Sequence, residues 1–307
     1  MNQKYFDIIQ KWAPINYQYI SNKHLGRDLI CKINVSGDWD TSKNRAFVKI
    51  INKNPKRISE IIPAIYYAIA ETKTHYFLLY SIYHADDDKH ENDLEGCLVI
   101  VEKETNELMG MITIAHLFFH KYSYQNNLKG ILGEDIEQMA VEDEDGRLRP
   151  LIEQEKAGHG LYSLSRRDFW GKIFFLKNRT RPHDIISYYP TNNQNQKIPG
   201  HDLEKILNLK GTPHYPSFYY TLIDILDDEN GFWNKRNNKV TFEKDGIFNA
   251  KDKPGKAHAP WAWDTLFDTL PAGIVWNDPA KLVKEHFRQT NGKEFSLEYV
   301  KKMVDLS

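Results

Sequence analysis

From Ile61 to Val101 the chain carries three apolar runs, IIPAIYYAIAE, HYFLLYSIYH and GCLVIVEK, dense in β-branched and aromatic residues, and they predict central strands. The second and third flank the polar stretch ADDDKHENDLE, and ETNEL separates the third from MGMITIAHLFFHKYS. This spacing predicts a meander of antiparallel strands joined by short turns. Between about Gly130 and Ile152 the pattern gives way to acidic, irregular GEDIEQMAVEDEDGRLRP, and Thr180 to Lys197 is rich in Pro and Asn, so both segments predict long loops. Helical spacing is scarcer. It occurs in DLEKILNL near Asp202, in YYTLIDILDD near Tyr219, and in SLEYVKKMV, where Ser296 offers an N-cap. The chain has no repeat of fixed period, no low-complexity tract and no composition break that marks a boundary. The reading is one large β domain over residues 1–307, with peripheral helices, long loops and helical additions at both ends.

Composition narrows the function classes. Hydrophobic residues are 41% and aromatics 13% of the 307 residues, too rich in large rings for a disordered chain. Forty-one Lys and Arg against 42 Asp and Glu leave a net charge of −1, which argues against a chain-wide grip on nucleic acid or anionic lipid. The two cysteines, Cys31 and Cys97, sit in LICKI and GCLVIV and read as small buried hydrophobes, a disulfide being the alternative. No apolar run approaches the roughly 20 residues of a membrane span. The opening MNQKYFDIIQKWAPINYQ lacks the basic, apolar and small-residue regions of a signal peptide. The expectation is a soluble chain, cytoplasmic as written, with a secreted effector as the alternative.

The densest chemistry follows HYFLLYSIYH. Asp86, Asp87, Asp88, His90, Asp93 and Glu95 fall within ten residues, with Glu91 among them. Like charges this close raise one another's pKa or splay into water, unless a cation lies among them. Asp93 and Glu95 are two apart and share a face if LEGCLVIV is already a strand, with His90 on the loop before it. A carboxylate-rich set with one imidazole suits Mg²⁺, Ca²⁺ or Mn²⁺, and Zn²⁺ if a second His joins. The alternative is a solvated acidic turn.

The run Tyr80-Ser81-Ile82-Tyr83-His84-Ala85-Asp86-Asp87-Asp88-Lys89-His90-Glu91-Asn92-Asp93-Leu94-Glu95 resembles the core of the necrosis-inducing (NLP) proteins: a Tyr-Ser-Trp-Tyr strand, then Asp, then a Gly-His-Arg-His-Asp-Trp-Glu heptad. It is also similar to the vacuolar-sorting-related β-sandwich proteins. The resemblance implies an antiparallel two-sheet β-sandwich and a divalent cation held by Asp87 (or Asp86), His90, Asp93 and Glu95. Lys89, Asn92 and Leu94 replace the leading Gly, the second His and the Trp of the heptad, which leaves the ligand set intact. The match covers about sixteen residues, with vaguer likeness at Gly37-Asp38-Trp39 and at Gly158-His159-Gly160-Leu161-Tyr162.

Three further constellations surround this one. Gly158 and Gly160 flank His159, and glycines that allow positive φ and close approach suit a His at the lip of a cleft, as a further ligand, a general base or a core hydrogen-bonding group. His116 and His120 are four apart and predict a shared face, with one or both lining the cavity or serving the core. His258, Trp261 and Trp263 could wall a ligand pocket together with Asp86 and His116, or plug an edge of the fold. Arg166-Arg167 and Arg179-Thr180-Arg181 form small basic clusters suited to an anion or to solvent. There is no Gly-x-Ser-x-Gly elbow, P-loop, dinucleotide fingerprint or zincin helix. The favoured reading is a divalent-metal-binding protein that recognises a glycan, lipid headgroup or small molecule through the metal. A metal-dependent hydrolase with His159 as proton carrier is the first alternative, and a structural metal the second.

Overall fold

The computed structural model describes residues 2–21, 23–116, 118–131, 133–144, 147–164, 185–191, 217–251, 257–264 and 269–304. The strands in chain order are β1 (Ile15–Tyr19), β2 (Ala64–Thr72), β3 (His75–Asp86), β4 (Glu91–Glu102), β5 (Glu107–Ala115), β6 (Phe118–Ser123), β7 (Leu128–Gly130), β8 (Glu137–Gln138), β9 (Val141–Glu144), β10 (Arg147–Gln154), β11 (Leu161–Ser163), β12 (Ile185–Thr191), β13 (Ser217–Asp224), β14 (Phe242–Lys244), β15 (Ile247–Phe248), β16 (Phe287–Gln289) and β17 (Tyr299–Lys301). The helices are α1 (Gln3–Lys11), α2 (Leu25–Asp28), α3 (Asn44–Lys53), α4 (Ile274–Asn277) and α5 (Pro279–His286). None of the described helices is long and apolar enough to cross a membrane.

The meander from β2 to β6 forms as the apolar runs predict, each strand antiparallel to the next. β2, β3 and β4 are buried along their whole length, which is why they read as continuous apolar runs and not as alternating ones. The expected antiparallel two-sheet sandwich is not what forms. Among the described residues one mixed sheet of thirteen strands runs in the order β11-β10-β1-β12-β13-β2-β3-β4-β5-β6-β8, with β9 and β17 attached to β10 and β2. β1 is parallel to β10, and β13 is parallel to both β12 and β2. Those pairings join segments far apart in sequence, and local patterning carries no trace of them.

Four local expectations change with this topology. YYTLIDILDD is strand β13, its Leu222 and Ile223 buried between two parallel neighbours; a doubly covered strand is apolar on both faces and mimics a helical run. SLEYVKKMV forms β17 against the end of β2, a tertiary pairing that overrides helix propensity. Ser296 still accepts from the Glu298 N–H at 3.1 Å, but no helix follows. The segment from 130 to 152 contains β8, β9 and most of β10, and β9 and β10 pair antiparallel. Residues 185–191 of the other expected loop are strand β12, buried at its first four positions. The DLEKILNL segment and the Arg166, Arg167, Arg179 and Arg181 clusters lie outside the described residues. Cys31 and Cys97 are both buried free thiols.

The carboxyl end of α1 shows how side chains close this sheet. A helix leaves its last carbonyls without intrahelical partners. Here Trp12 N–H takes Ile8 O, the Tyr80 hydroxyl donates to Ile9 O at 2.7 Å, and buried Arg149 donates to Gln10 O at 2.6 Å and Ala13 O at 3.1 Å. Tyr80→Phe leaves Ile9 O unpaired, and the expected loss is about 1–2 kcal/mol of unfolding free energy, read by denaturant titration. A midpoint unchanged from wild type would show that the bond contributes nothing.

Candidate metal centre

β3 and β4 are twelve residues each and pair so that His84 faces Asp93, Ile82 faces Glu95 and Asp86 faces Glu91. The turn between them is built by Asp87, whose Oδ1 accepts the backbone N–H groups of Lys89 (2.6 Å) and His90 (3.3 Å). Asn92 then takes φ +57°. Beyond it Asp93 and Glu95 share one face, as their spacing predicts, while Glu91 turns the other way to Arg45 (3.5 Å) and the Lys251 N–H (2.7 Å). Asp86 goes with Glu91: its Oδ1 lies 2.9 Å from Arg45 Nε, and it is absent from the cavity wall. Of Asp86 and Asp87, only Asp87 lines the cavity.

Asp87, His90, Asp93 and Glu95 all line one cavity of about 330 Å³. They converge and do not splay into solvent. Asp87, Asp93 and His159 each offer a ligand atom within 4.8 Å of the other two, and all three residues are buried. Burial and then the Asp93 charge raise the pKa of Asp87, and the same two causes push Glu95 well above the usual carboxylate range. Carboxylates crowded in this way are relieved by a positive charge placed among them, and this is the observation by which the donor set fits a divalent ion. His90 Nδ1 lies 2.8 Å from Asn92 O and donates there, and its Nε2 lies 3.7 Å from Asp87 Oδ1. Imidazole ligands are commonly oriented by a bond of the first kind.

His159, the expected further ligand or general base, lies fully buried behind the cavity. Its Nδ1 is 2.9 Å from Asp93 Oδ2 and its Nε2 is 3.5 Å from Asp28 Oδ1. Burial works against charge on this ring, but Asp28 and Asp93 outweigh it and hold the pKa up at about 9. Its other face stacks on His84 at 3.8 Å with the planes 4° apart, and burial followed by the His159 charge keeps His84 far below its ordinary value. Asp28 is itself fully buried, takes Arg27 Nε at 2.7 Å and the N–H groups of Ser21 (2.6 Å) and Ala157 (3.0 Å), and has a lowered pKa because His159 and Arg27 outweigh its desolvation.

Sequence reading missed Asp28, Arg27 and His84. His84 had a usable signal, since the strand period and a short turn set it across from Asp93; Asp28, in HLGRDLICK, had none.

Of the two roles expected of Gly158 and Gly160, positive φ is corrected: neither has it, while Ala157 (+75°) and His159 (+51°) do. The expected close approach is what the glycines supply. A Cβ at Gly158 would lie 2.9 Å from His116 Cε1, and one at Gly160 would lie 3.0 Å from His116 Nε2. His116, itself at φ +62°, caps β5, and its N–H donates to Glu95 Oε1 at 3.2 Å. Its Nε2 lies 3.1 Å from Glu155 Oε2, a contact that raises its pKa. Asn92, His116, Ala157 and His159 thus bring four left-handed non-glycine residues to one site, the kind of local strain that concentrates where geometry is constrained by function.

His116 and His120 do not share a face, because the chain reverses between β5 and β6; His120 packs on Tyr162 at 4.9 Å instead. His258 and Trp263 line the cavity. Trp263 can do so because Gly96 leaves its ring space: a Cβ there would stand 2.6 Å from Trp263 Cη2. Trp263 Nε1 donates to Leu94 O at 3.2 Å. Trp261 does not reach the cavity. It belongs to a separate aromatic cluster with Phe232, Trp233, Phe242 and Trp276, and its Nε1 donates to Asp245.

No family model matches the chain, and no curated protein does. Among solved structures it is similar to NLPPya in complex with glucosamine, at 14% identity and TM-score 0.31 over 65% of this chain and 61% of that one. The mannosamine complex of NLPPya gives 14% identity and TM-score 0.30 over the same shares. Necrosis and Ethylene inducing Protein 2 from the causal agent of cocoa's Witches Broom disease gives 18% and 0.27 over 51% of this chain and 66% of that one. The match to NLPPya spans about three fifths of that protein's length.

Proposed function

We propose that this chain binds a divalent cation through Asp87, Asp93 and His159, with Glu95 and His90 on the same wall, and recognises a glycan in the adjoining cavity. The observation that carries the reading is the convergence of the buried carboxylates Asp87 and Asp93 on the wall of a cavity large enough for a ligand, with the buried His159 behind them and its ligand atom within 4.8 Å of both. A bound cation would supply a fixed positive charge for sugar hydroxyl oxygens and relieve the carboxylate repulsion. The protein's own residues do the rest. Asp28 holds the His159 ring from behind, His90 is oriented by Asn92 O, and Asp88 and Asp264 on the rim offer acceptors to hydroxyl or ammonium groups. Trp263 and Ile114 provide apolar wall, the mix of flat apolar surface and few placed polar groups that small-molecule sites use.

The test is a glycan array and calorimetry with glucosamine and mannosamine, each run in Mg²⁺, Ca²⁺, Mn²⁺ and chelator. Retention of a sugar that requires one of the cations, and is lost in Trp263→Ala with cation affinity kept, is expected. Cation binding with no sugar retained under any condition would leave a structural ion and overturn the ligand half. Turnover of a phosphodiester or ester substrate would move the assignment to hydrolysis.

A further inference from the structure

The donors that converge on the cation site come from two separate parts of the chain. Asp87 and Asp93 belong to the β3–β4 hairpin, and His159 belongs to the segment between β10 and β11. Asp28, the last residue of α2, is fully buried and lies off the cavity wall, yet it reaches both parts. One route runs through the backbone. Asp28 Oδ1 accepts the Ala157 N–H at 3.0 Å, and the carbonyl of the same alanine accepts the Asp88 N–H at 3.2 Å, next to Asp87. Ala157 sits at φ +75°, a conformation that alanine seldom adopts, and the bonds to its N–H and carbonyl hold it there. The other route runs through the imidazole, with Nδ1 of His159 2.9 Å from Asp93 Oδ2 and Nε2 3.5 Å from Asp28 Oδ1.

Asp28 is itself fixed by groups outside the site. Arg27 Nε lies 2.7 Å from its Oδ1, and the Ser21 N–H donates to its Oδ2 at 2.6 Å. α2 is fastened to α3 where the Gly26 N–H donates to Asn52 Oδ1 at 2.7 Å, an approach so close that a Cβ on Gly26 would lie 3.0 Å from Val48 O. The chain after α2 is fastened to β3, with the Cys31 N–H on Tyr83 O at 3.1 Å. The carboxylate therefore imposes its position on the site. An imidazole ligates through one nitrogen and carries its proton on the other, and a carboxylate beside the protonated nitrogen fixes which is which. His159 Nε2 makes no hydrogen bond to any other acceptor, so Asp28 is the group that keeps a proton there and leaves Nδ1 on the Asp93 side.

We infer that Asp28 is the positioning residue of the cation site: it holds the His159 proton on Nε2 so that Nδ1 serves the cation, and through Ala157 it ties the His159 segment to the turn that carries Asp87. The inference rests on the reading of that site given above, and adds that a carboxylate which never touches the cation governs its affinity.

The test uses the full-length chain, with Mg²⁺, Ca²⁺ and Mn²⁺ affinities from calorimetry and ¹⁵N spectra of the His159 ring in saturating Mg²⁺ or Ca²⁺. Asp28→Asn keeps the shape of the side chain and removes its charge, and it is expected to weaken cation binding about 10–100-fold, the range for groups that orient a ligand. Tyr80→Phe, which loses stability at α1 away from the site, is expected to keep the wild-type affinity. In cation-saturated wild type the ring proton is expected on Nε2, a signature that a merely structural role would not set, and in Asp28→Asn it is expected to spread between tautomers. Wild-type affinity in Asp28→Asn, or an equal loss in Tyr80→Phe, overturns the inference and leaves the cation site standing. Should Asp28→Asn fail to fold, the wild-type spectrum decides alone, and a proton on Nδ1 with Nε2 bare overturns the inference. A wild type that takes up none of the three cations overturns the reading of the site and this inference with it.

Discussion

Asp93→Asn is expected to lower divalent-cation affinity at least about 100-fold, beyond what loss of a merely orienting group produces. Asp93 is central because it touches every part of the site: its Oδ2 holds His159 Nδ1 at 2.9 Å, and its charge raises the pKa of both Asp87 and Glu95. In wild type a cation at 100 times its dissociation constant stabilises the fold by about 2.7 kcal/mol, and this increment should vanish in the variant. In chelator two effects oppose. Losing the carboxylate leaves a buried imidazolium short of a partner, which costs up to about 3–5 kcal/mol, while Asp87 and Glu95 are released from repulsion. The variant is thus expected to be less stable than wild type in chelator and further behind in saturating cation. Elemental analysis and thermal melts decide, with Asp88→Asn on the cavity rim as the control that keeps cation affinity within about twofold. Equal metal content in wild type and Asp93→Asn would sink the centre.

The second large effect is an inverted pH dependence in the absence of a cation. Asp87 and Glu95 have folded pKa values above their unfolded ones, so their contribution is fully present below the ordinary carboxylate pKa of about 4 and is lost as pH rises through the raised values. His159 has the same sign: its stabilisation is complete below about 6.5 and is lost as pH rises through about 9. That one residue accounts for on the order of 3 kcal/mol between neutral pH and pH 10. Asp28 works oppositely, its lowered pKa giving stability that is lost only on acidification below about 4. Chelated protein should therefore lose stability from about pH 5 to pH 9. The increment from added cation should grow over the same window, because the donors must be deprotonated to bind. Melts at half-unit pH steps with and without Mg²⁺ or Ca²⁺ test this, and a cation increment that does not change with pH would contradict it.

The carboxylate part of the centre was legible because it is local. Asp87, His90, Asp93 and Glu95 fall within nine residues, and a strand period of two is enough to put Asp93 and Glu95 on one face. Asp86 misled because the alternation breaks at Asn92, whose φ of +57° no neighbouring residue type announces. Trp261 and Trp263 looked equivalent at a spacing of two, and each ring lies against a glycine, Gly246 and Gly96, but only the Gly96 position on β4 admits a ring to the cavity. Of the two roles read for the glycines around His159, positive φ is absent and close approach is found, since they clear space for a ring 42 residues away, His116 (158 − 116).

The strands from β2 to β6, their antiparallel succession and the acidic turn after β3 follow from side-chain type and period alone, since those interactions reach only a few residues along the backbone. The partnership of His159 with Asp28 and Asp93 and the parallel placement of β13 between β12 and β2 came only with the folded chain. Each joins segments whose separation in sequence leaves no periodic signature, and each depends on which buried polar groups find partners once water has been excluded.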